Sequence, residues 1–192
     1  PHQPHLPEDA QVLGGLGLIY SEEGVRKMFA TVTLWKEVPV EEQLGLLPFK
    51  ITEMSAFKMV RTLAPGAAIL LSDAETDSDI DGKAVMIINL VGSAPEKPDD
   101  RGRFARDLAT TIPNLRDAHI TMSEPIRING SAGFETRIDA TNGKSNTPVT
   151  VVQWLVFAGG TTAMRLIGST PRDDWSAAFP RFRAVRDGIQ PR

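Results

Sequence analysis

One segment of the chain, residues 149–157, restricts the fold more than any other feature of the sequence. It reads Val-Thr-Val-Val-Gln-Trp-Leu-Val-Phe, so apolar side chains occupy both alternating sets of positions. Successive side chains of a strand point to opposite faces of a sheet, and a strand that is apolar on both faces is typical of a covered sheet centre. The sequence therefore predicts a sheet with a layer of structure on each face.

The first candidate for a covering layer is a helix near the middle of the chain. Phe104, Leu108 and Ile112 recur at every fourth residue and form one apolar stripe, and Pro113 ends the pattern. A shorter candidate helix covers residues 40–47. At least one more helix is needed, because a single helical layer cannot cover two faces of a sheet.

The second candidate lies in residues 172–188, near the end of the chain. Its large apolar side chains follow helical spacing and are assigned to the core: Trp175, Phe179, Phe182, Val185 and Ile189. Pro180 interrupts this segment and predicts a kink or two short helices, because proline lacks the backbone N–H of a helical hydrogen bond.

Alternating apolar and polar residues predict the remaining strands. These cover residues 28–35, 49–63 (as one long strand or two short ones), 67–71, 84–91, 120–128, 134–140 and 161–169. Three pairs predict hairpin turns, since glycine accepts a positive φ: Asp81-Gly82, Asn129-Gly130 and Gly159-Gly160. The fold class is therefore α+β, with a central antiparallel sheet of about seven strands between helices in an α/β/α sandwich.

The 192 residues contain no internal repeat and fit one domain. We expect a flexible tether at residues 1–10, followed by a single α+β domain at 11–192. A start at Pro1 with a proline-rich first segment is typical of a mature exported protein whose signal peptide has been removed, and a trimmed chain has the same appearance. We expect a periplasmic or secreted protein.

Composition excludes several classes of protein. There is no cysteine and there are only three histidines, which excludes disulfide scaffolds, zinc fingers and cysteine nucleophiles. Any catalysis is limited to carboxylates, hydroxyls and amines. We expect no cofactor, no metal and no transmembrane segment. A net charge of −3 and 6% aromatic residues argue against a nucleic-acid partner.

Three short motifs match known sites only in part. Residues 77–82 read D-x-D-x-D-G, the first half of a calcium loop, but Ile88 stands where a bidentate glutamate is required, so a hairpin turn is favoured. Ser55 and Lys58 match S-x-x-K, yet a strand context points them to opposite faces. The glycine-rich residues 14–20 end in Tyr20 and lack a preceding strand, which argues against a dinucleotide loop.

Charge is divided unevenly along the chain. Residues 1–96 carry 7 basic and 14 acidic side chains, and residues 97–192 carry 14 and 10, so the halves have net charges of −7 and +4. The late arginines could form a basic face for an anionic partner. Interspersed acids such as Asp107 and Asp187 favour ordinary salt-bridged surfaces instead.

The last third of the chain resembles the closing unit of the PsbP/Mog-like fold. The residues that carry the resemblance are the strand pair 147–157 and 162–168, with Gln153-Trp154-Leu155, and the terminal helix, which ends in Phe182-Arg183-Ala184-Val185-Arg186-Asp187-Gly188-Ile189. The chain is also similar to an uncharacterised exported bacterial branch of that family. The resemblance implies a central antiparallel sheet with helices on both sides. Family members include extrinsic photosystem subunits and a Ran-binding protein, which implies protein binding, and no binding residue is carried over.

These observations favour a non-enzymatic protein-binding or assembly module with a protein partner. A small-molecule or lipid carrier, or a hydrolase that uses two carboxylates, stays open as the alternative. Four polar residues inside strand patterns are candidate ligand-binding residues: Glu53, Arg137, Gln153 and Arg165. A pocket with converging polar groups would favour the alternative.

Overall fold

The structure is a computed structural model that describes residues 40–64 and 66–191. Three expectations lie outside these residues: the tether at 1–10, the glycine-rich segment at 14–20 and the strand at 28–35. The short helix expected at residues 40–47 lies inside the described residues and covers Val40–Gly45.

The described part of the chain contains nine strands and three α-helices. The strands are β1 (Phe49–Ile51), β2 (Met59–Ala64), β3 (Ala68–Ser72), β4 (Val85–Val91), β5 (Leu115–Ile128), β6 (Ser131–Asn142), β7 (Pro148–Phe157), β8 (Ala163–Pro171) and β9 (Ile189–Pro191). The helices are α1 (Val40–Gly45), α2 (Arg101–Ala109) and α3 (Trp175–Asp187). None of the helices in the described ranges has the length and apolar character that crossing a membrane requires.

Seven strands form one antiparallel sheet in the order β2-β3-β4-β8-β7-β6-β5. The expected sheet of about seven antiparallel strands is confirmed. Strand β7 lies inside this sheet, and Gln153 and Trp154, which point to opposite faces, are both 0% exposed. The prediction that residues 149–157 are covered on both sides is therefore correct.

Two helices supply the two covering layers. Helix α3 packs Phe182 directly over Gly168 of β8, where an added Cβ would lie 2.6 Å from the Phe182 ring. Helix α2 lies on the opposite face, where Ala105 packs with Leu155 and Ala163. The α/β/α sandwich follows from this arrangement, because each apolar face of β7 and β8 has its own helix.

Two hairpins form as the turn residues predict. Asn129 and Gly130 join β5 to β6 with φ of 49° and 82°, the two positive values of a type I′ turn. Gly159 and Gly160, with φ of 100° and 68°, lie in the connection from β7 to β8. Each pair therefore sets an antiparallel register that places the correct apolar face toward the core.

The turn predicted at Asp81-Gly82 is wrong. Residues Asp77–Gly82 form a 3₁₀ helix between β3 and β4, and Gly82 does not have a positive φ. Asp77 and Asp79 lie in the first turn, where the helix dipole favours acidic residues. The Thr76 hydroxyl donates a hydrogen bond of 2.9 Å to Asp79 Oδ2, which further favours the helical turn.

The segment 49–63 forms two short strands in two different sheets. Strand β1 pairs with β9 at the end of the chain, and β2 pairs with β3. Between them the backbone turns through Ser55 and Ala56, with φ of 47° and 55°, and Phe57 stacks on Phe182 at 6.0 Å. The strand context expected for Glu53 and for Ser55 is therefore wrong.

Arg181 of α3 holds this turn against the sandwich. Its Nε donates to the Ser55 carbonyl at 3.0 Å, and its two terminal nitrogens pair with the Asp73 carboxylate. The hydrogen bonds to Asp73 raise the pKa of Arg181, which therefore stays charged.

Helix α3 continues through Pro180 as one helix of 13 residues, so of the two expected alternatives, a kink or two short helices, the second is wrong. Pro180 cannot donate to the Ser176 carbonyl one turn earlier. Both residues are exposed, so water can donate a hydrogen bond to that carbonyl. The missing helical hydrogen bond therefore costs less stability than it would in the interior.

Replacing Gly168 by alanine tests the contact between α3 and the sheet. The new Cβ would overlap the Phe182 ring, so the Gly168→Ala variant should lose about 2 kcal/mol of unfolding free energy in urea denaturation. Gly82→Ala is the matched control, because an added Cβ there meets nothing within 4 Å, and it should change stability by about 0.5 kcal/mol or less. Equal stability of the two variants would show that α3 does not depend on this contact.

Candidate functional site

A buried carboxylate connects the sheet to α3. Glu135 and Arg137 are alternate residues of β6, and the register places Glu135 beside Trp154 of β7. Glu135 Oε1 accepts a hydrogen bond of 2.6 Å from Trp154 Nε1, and its other oxygen lies 3.3 Å from Arg137 Nη2. Glu135 is only 8% exposed, so both partners are needed to offset the loss of water around its charge.

Four residues form an arginine–aromatic surface above this carboxylate: Arg137, Trp175, Phe179 and Arg183. The rings of Trp175 and Phe179 stack with centroids 4.8 Å apart. The guanidinium carbons of Arg137 and Arg183 lie 4.7 and 5.4 Å from the Phe179 centroid, within range of cation–π attraction. The two aromatic residues are half-buried and Arg183 is exposed, so the surface faces solvent.

Helix α3 positions three of these residues by spacing alone. Trp175, Phe179 and Arg183 are four residues apart, so they follow one another along one side of the helix. Their helical spacing predicts that Trp175 and Phe179 lie in the core, but both are only half-buried and pack against it, whereas Phe182 of the same helix is fully buried. The four-residue spacing places these side chains on one side of the helix. The same spacing is found in helices whose apolar side faces the core, so it does not distinguish a surface from a core.

The surface continues onto the edge of the sheet. The register places Met122 of β5 opposite Arg137 and Glu124 opposite Glu135, on the same face. Met122 is half-buried and Glu124 is exposed. Two register shifts and Pro125 interrupt β5, features that discourage another strand from pairing with a sheet edge. A partner at this place would therefore contact side chains rather than extend the sheet.

An apolar cleft of about 320 Å³ lies on the same side of the sheet as α3. Its apolar lining includes Leu90, Ile128, Val156, Met164, Leu166 and Ile189. Arg186 forms part of the wall, where it lies 4.8 Å over the Trp154 ring and bonds Asp187 at 2.8 Å. Asn129 also lines the cleft, and its Nδ2 donates to the Asp187 carbonyl at 3.0 Å. The lining of the cleft is thus mostly apolar, and the polar side chains of Arg186 and Asn129 are bonded to other groups of the protein.

Gln153 and Arg165, two of the four sequence candidates, lie together under α2. Gln153 Nε2 donates to the Ala105 carbonyl at 2.9 Å, and Arg165 Nε donates to Gln153 Oε1 at 3.0 Å. Arg165 Nη2 also donates to the Leu108 carbonyl at 2.6 Å and to the Thr111 hydroxyl at 3.3 Å. These bonds attach the end of α2 to the sheet.

Arg165 remains charged in this position. Burial lowers the pKa of Arg165 to about 10, which is still far above neutral pH. The Leu108 carbonyl lies in the last turn of α2, where the helix dipole attracts a cation. The arrangement therefore explains a buried arginine without a carboxylate partner.

The other two candidates lie apart from this pair. Arg137 belongs to the arginine–aromatic surface, on the opposite face of the sheet. Glu53 is exposed in the turn after β1, and its Oε1 accepts a hydrogen bond of 2.6 Å from the Ser55 backbone N–H. The structure thus brings together only Gln153 and Arg165 of the four.

The partial motifs do not assemble into catalytic sites in the described ranges. Lys58 Nζ lies 3.6 Å from Glu75, and the peptide N–H of Ser55 bonds Glu53. His119 is exposed on β5. Within residues 40–64 and 66–191, no three histidine, aspartate or glutamate side chains are grouped so that they could hold a metal ion.

No protein-family model and no curated protein sequence matches the chain. Solved structures match its fold. PA94 from Pseudomonas aeruginosa, a protein of unknown function, has a TM-score of 0.50 at 15% identity over 66% of this chain and 83% of its own. LpqN from Mycobacterium tuberculosis, involved in cell envelope biogenesis, has a TM-score of 0.54 at 11% identity over 74% and 82%.

The Ran-binding protein Mog1p from Saccharomyces cerevisiae matches with a TM-score of 0.44 at 11% identity, over 73% of this chain and 85% of its own. At these identities the likenesses concern the fold alone. The chain shares its α+β fold with PA94 and LpqN, and the expected α+β sandwich is confirmed.

Removing Arg165 tests the attachment of α2. The Arg165→Met variant leaves Gln153 Oε1 and the Leu108 carbonyl without their buried donor, so it should lose about 2 kcal/mol of unfolding free energy. The double variant Gln153→Leu, Arg165→Met removes both polar partners, and its loss should be smaller than the sum of the two single losses. Urea denaturation of wild type, Gln153→Leu, Arg165→Met and the double variant measures this difference. Strictly additive losses of unfolding free energy would contradict a coupled network.

Proposed function

We propose that the protein is a non-enzymatic binding module whose arginine–aromatic surface receives an acidic segment of a protein partner. The observation that carries the proposal is the stacked, half-exposed pair Trp175 and Phe179 with Arg137 and Arg183 beside it. Tryptophan and arginine are enriched among the residues that dominate binding energy at protein interfaces.

The charge of this surface supports an acidic partner. Among the described residues, no carboxylate lies within salt-bridge distance of Arg183, whereas Arg137 is paired with Glu135. A partner carboxylate could pair with Arg183 while the stacked rings provide apolar contact area. Glu124 at the margin of the surface would favour a basic or neutral group at that side of the partner.

We also propose that the protein works in the cell envelope, outside the cytoplasm. The fold it shares with LpqN, a protein of cell envelope biogenesis, supports this location.

Site-specific photo-crosslinking tests the partner and the location together. A photoreactive benzoylphenylalanine in place of Glu124 should give a covalent adduct with one protein in the envelope fraction of the native host. The Arg183→Glu change should weaken that adduct about tenfold or more, as expected for loss of a dominant interface residue. Purified partner should then bind through a segment rich in Asp and Glu.

The matched control is Arg103, which is exposed on α2 at the opposite face of the sheet. The photoreactive residue at position 103 should not give the adduct that forms at position 124. The change Arg103→Glu should leave the adduct at position 124 unchanged. An adduct that persists in Arg183→Glu would contradict the proposed surface, and adducts found only in the cytosol would contradict the location.

The apolar cleft favours a second function, the carriage of a small apolar molecule. Its volume of about 320 Å³ falls in the range of small-molecule sites, and its lining is predominantly apolar. The fluorophore 8-anilinonaphthalene-1-sulfonate should bind the folded protein saturably at one site. Met164→Trp, which fills the cleft, should weaken that binding about tenfold, equivalent to about 1.4 kcal/mol.

Thr110→Trp is the control for this experiment, because residue 110 is exposed after α2 on the other face. It should leave the dissociation constant unchanged. Equal binding by wild type and the Met164→Trp variant would exclude the cleft as the site of the fluorophore.

A further inference from the structure

An arginine lies on an apolar face of the sheet, at the edge strand β2. Met59, Arg61 and Leu63 are alternate residues of this strand and share one face, and Met59 and Leu63 are only 4% and 5% exposed. Arg61 lies opposite Leu70 of β3 in the register. The strand pattern thus places a permanent cation where its neighbours on both sides belong to the core.

Arg61 is half-buried, and its Nε has no acceptor among the described residues. Its Nε is buried and has no hydrogen-bond partner, and no carboxylate lies within salt-bridge distance of Arg61 among residues 40–64 and 66–191. Arginine does not lose its proton at physiological pH, so this group cannot avoid the cost by becoming neutral. A molecule that brings an anionic acceptor to Arg61 would remove that cost and gain a charge-assisted hydrogen bond.

Arg61 lines a pocket of about 130 Å³, which we call the Arg61 pocket. Its apolar wall consists of Met59, Leu63, Leu70 and Ile80. A cavity of similar volume, about 150 Å³, holds one benzene molecule in another protein. The apolar part of a molecule that fits here is therefore limited to about six carbon atoms.

The rim of the Arg61 pocket carries both signs of charge. Lys144 Nζ lies 3.8 Å from Asp81 Oδ2, so these two charges largely compensate each other. Asp77, also at the rim, is exposed. Carboxylates at the entrance repel an anion with two charges more strongly than an anion with one, which favours a monoanion.

We propose that the Arg61 pocket binds a small monocarboxylate with an apolar chain of about four to six carbons. Arg61 pairs with the carboxylate, and the chain lies against Met59 and Leu70. This site lies on the face of the sheet that α2 covers, so it is separate from the arginine–aromatic surface and from the apolar cleft. A test of the Arg61 pocket can therefore give either result without deciding whether the proposed function is correct.

Titration of isotope-labelled protein with hexanoate, followed by NMR chemical shifts, tests the site. Hexanoate should bind saturably and shift the amide signals of residues 59–63, 70 and 80. The variant Arg61→Met keeps an unbranched side chain but removes the guanidinium and its charge, and it should weaken hexanoate binding about tenfold or more. Arg61→Lys should give an intermediate affinity, since lysine cannot form the paired bonds of a guanidinium with a carboxylate.

Three further compounds separate the charge from the chain. Wild type should bind 1-hexanol, hexylamine and inorganic phosphate more weakly than hexanoate. In Arg61→Met, hexanol and hexanoate should bind with equal affinity. Tighter binding of hexylamine would show that Asp77 and Asp81 dominate the site, and equal binding of phosphate would show an anion site without an apolar component. Either result would overturn the proposal.

Arg172→Met is the matched control, because Arg172 is exposed and lies just before α3. It should leave hexanoate binding unchanged. Urea denaturation of Arg61→Met should give a midpoint equal to or higher than that of wild type, because the variant replaces an unpartnered cation with an apolar side chain. Unchanged hexanoate affinity in a folded Arg61→Met protein would exclude Arg61 as the binding group.

Discussion

The burial of strand β7 on both faces is the constraint from which the rest of the structure follows. A strand whose neighbouring residues Gln153 and Trp154 are both completely buried cannot lie at an edge or under a single layer. It needs hydrogen-bonded neighbours on each side, which β6 and β8 provide, and a helix on each face. The seven-stranded sheet and its two covering helices satisfy this requirement.

The two helices are attached by different kinds of contact. Helix α3 approaches closely through packing, because the missing side chain of Gly168 leaves room for the Phe182 ring. Helix α2 receives directed hydrogen bonds from Gln153 and Arg165 to its backbone carbonyls. Each helix also has the other kind of contact, because Arg181 of α3 bonds Ser55 and Asp73, and Ala105 of α2 packs with Leu155. Both helices are therefore fixed on the sheet, and α3 is the one that carries the arginine–aromatic surface.

The parts of this fold that could be predicted from sequence are those set by local rules. Glycine-containing pairs gave two hairpins, and alternation gave the sheet strands, because both signals involve residues close together in the chain. The pairing of β1 with β9 joins residues 49–51 to 189–191, and no local pattern carries that information. Asp81-Gly82 was misread, because acidic residues before the glycine also favour a short helix.

The candidate sites were harder to predict than the fold. Helical spacing shows that Trp175, Phe179 and Phe182 share a helix, but the orientation of that helix on the sheet decides which of them stays half-exposed. Cavities depend on side chains from distant segments, such as Leu90, Val156 and Ile189 around the apolar cleft. Sequence alone correctly placed Arg137, Gln153 and Arg165 inside strands, without showing which partners each would meet.

Two arginines on one face of the sheet show why partners decide a role. Arg165 and Arg61 both point to the side that α2 covers, and both interrupt apolar strand patterns. Arg165 meets Gln153, Thr111 and a helix carbonyl, so its charge is used within the fold. Arg61 meets an apolar wall and no acceptor among the described residues, so the fold itself does not use its charge. An anion from outside the chain would supply the acceptor for Arg61 Nε that the described residues do not provide.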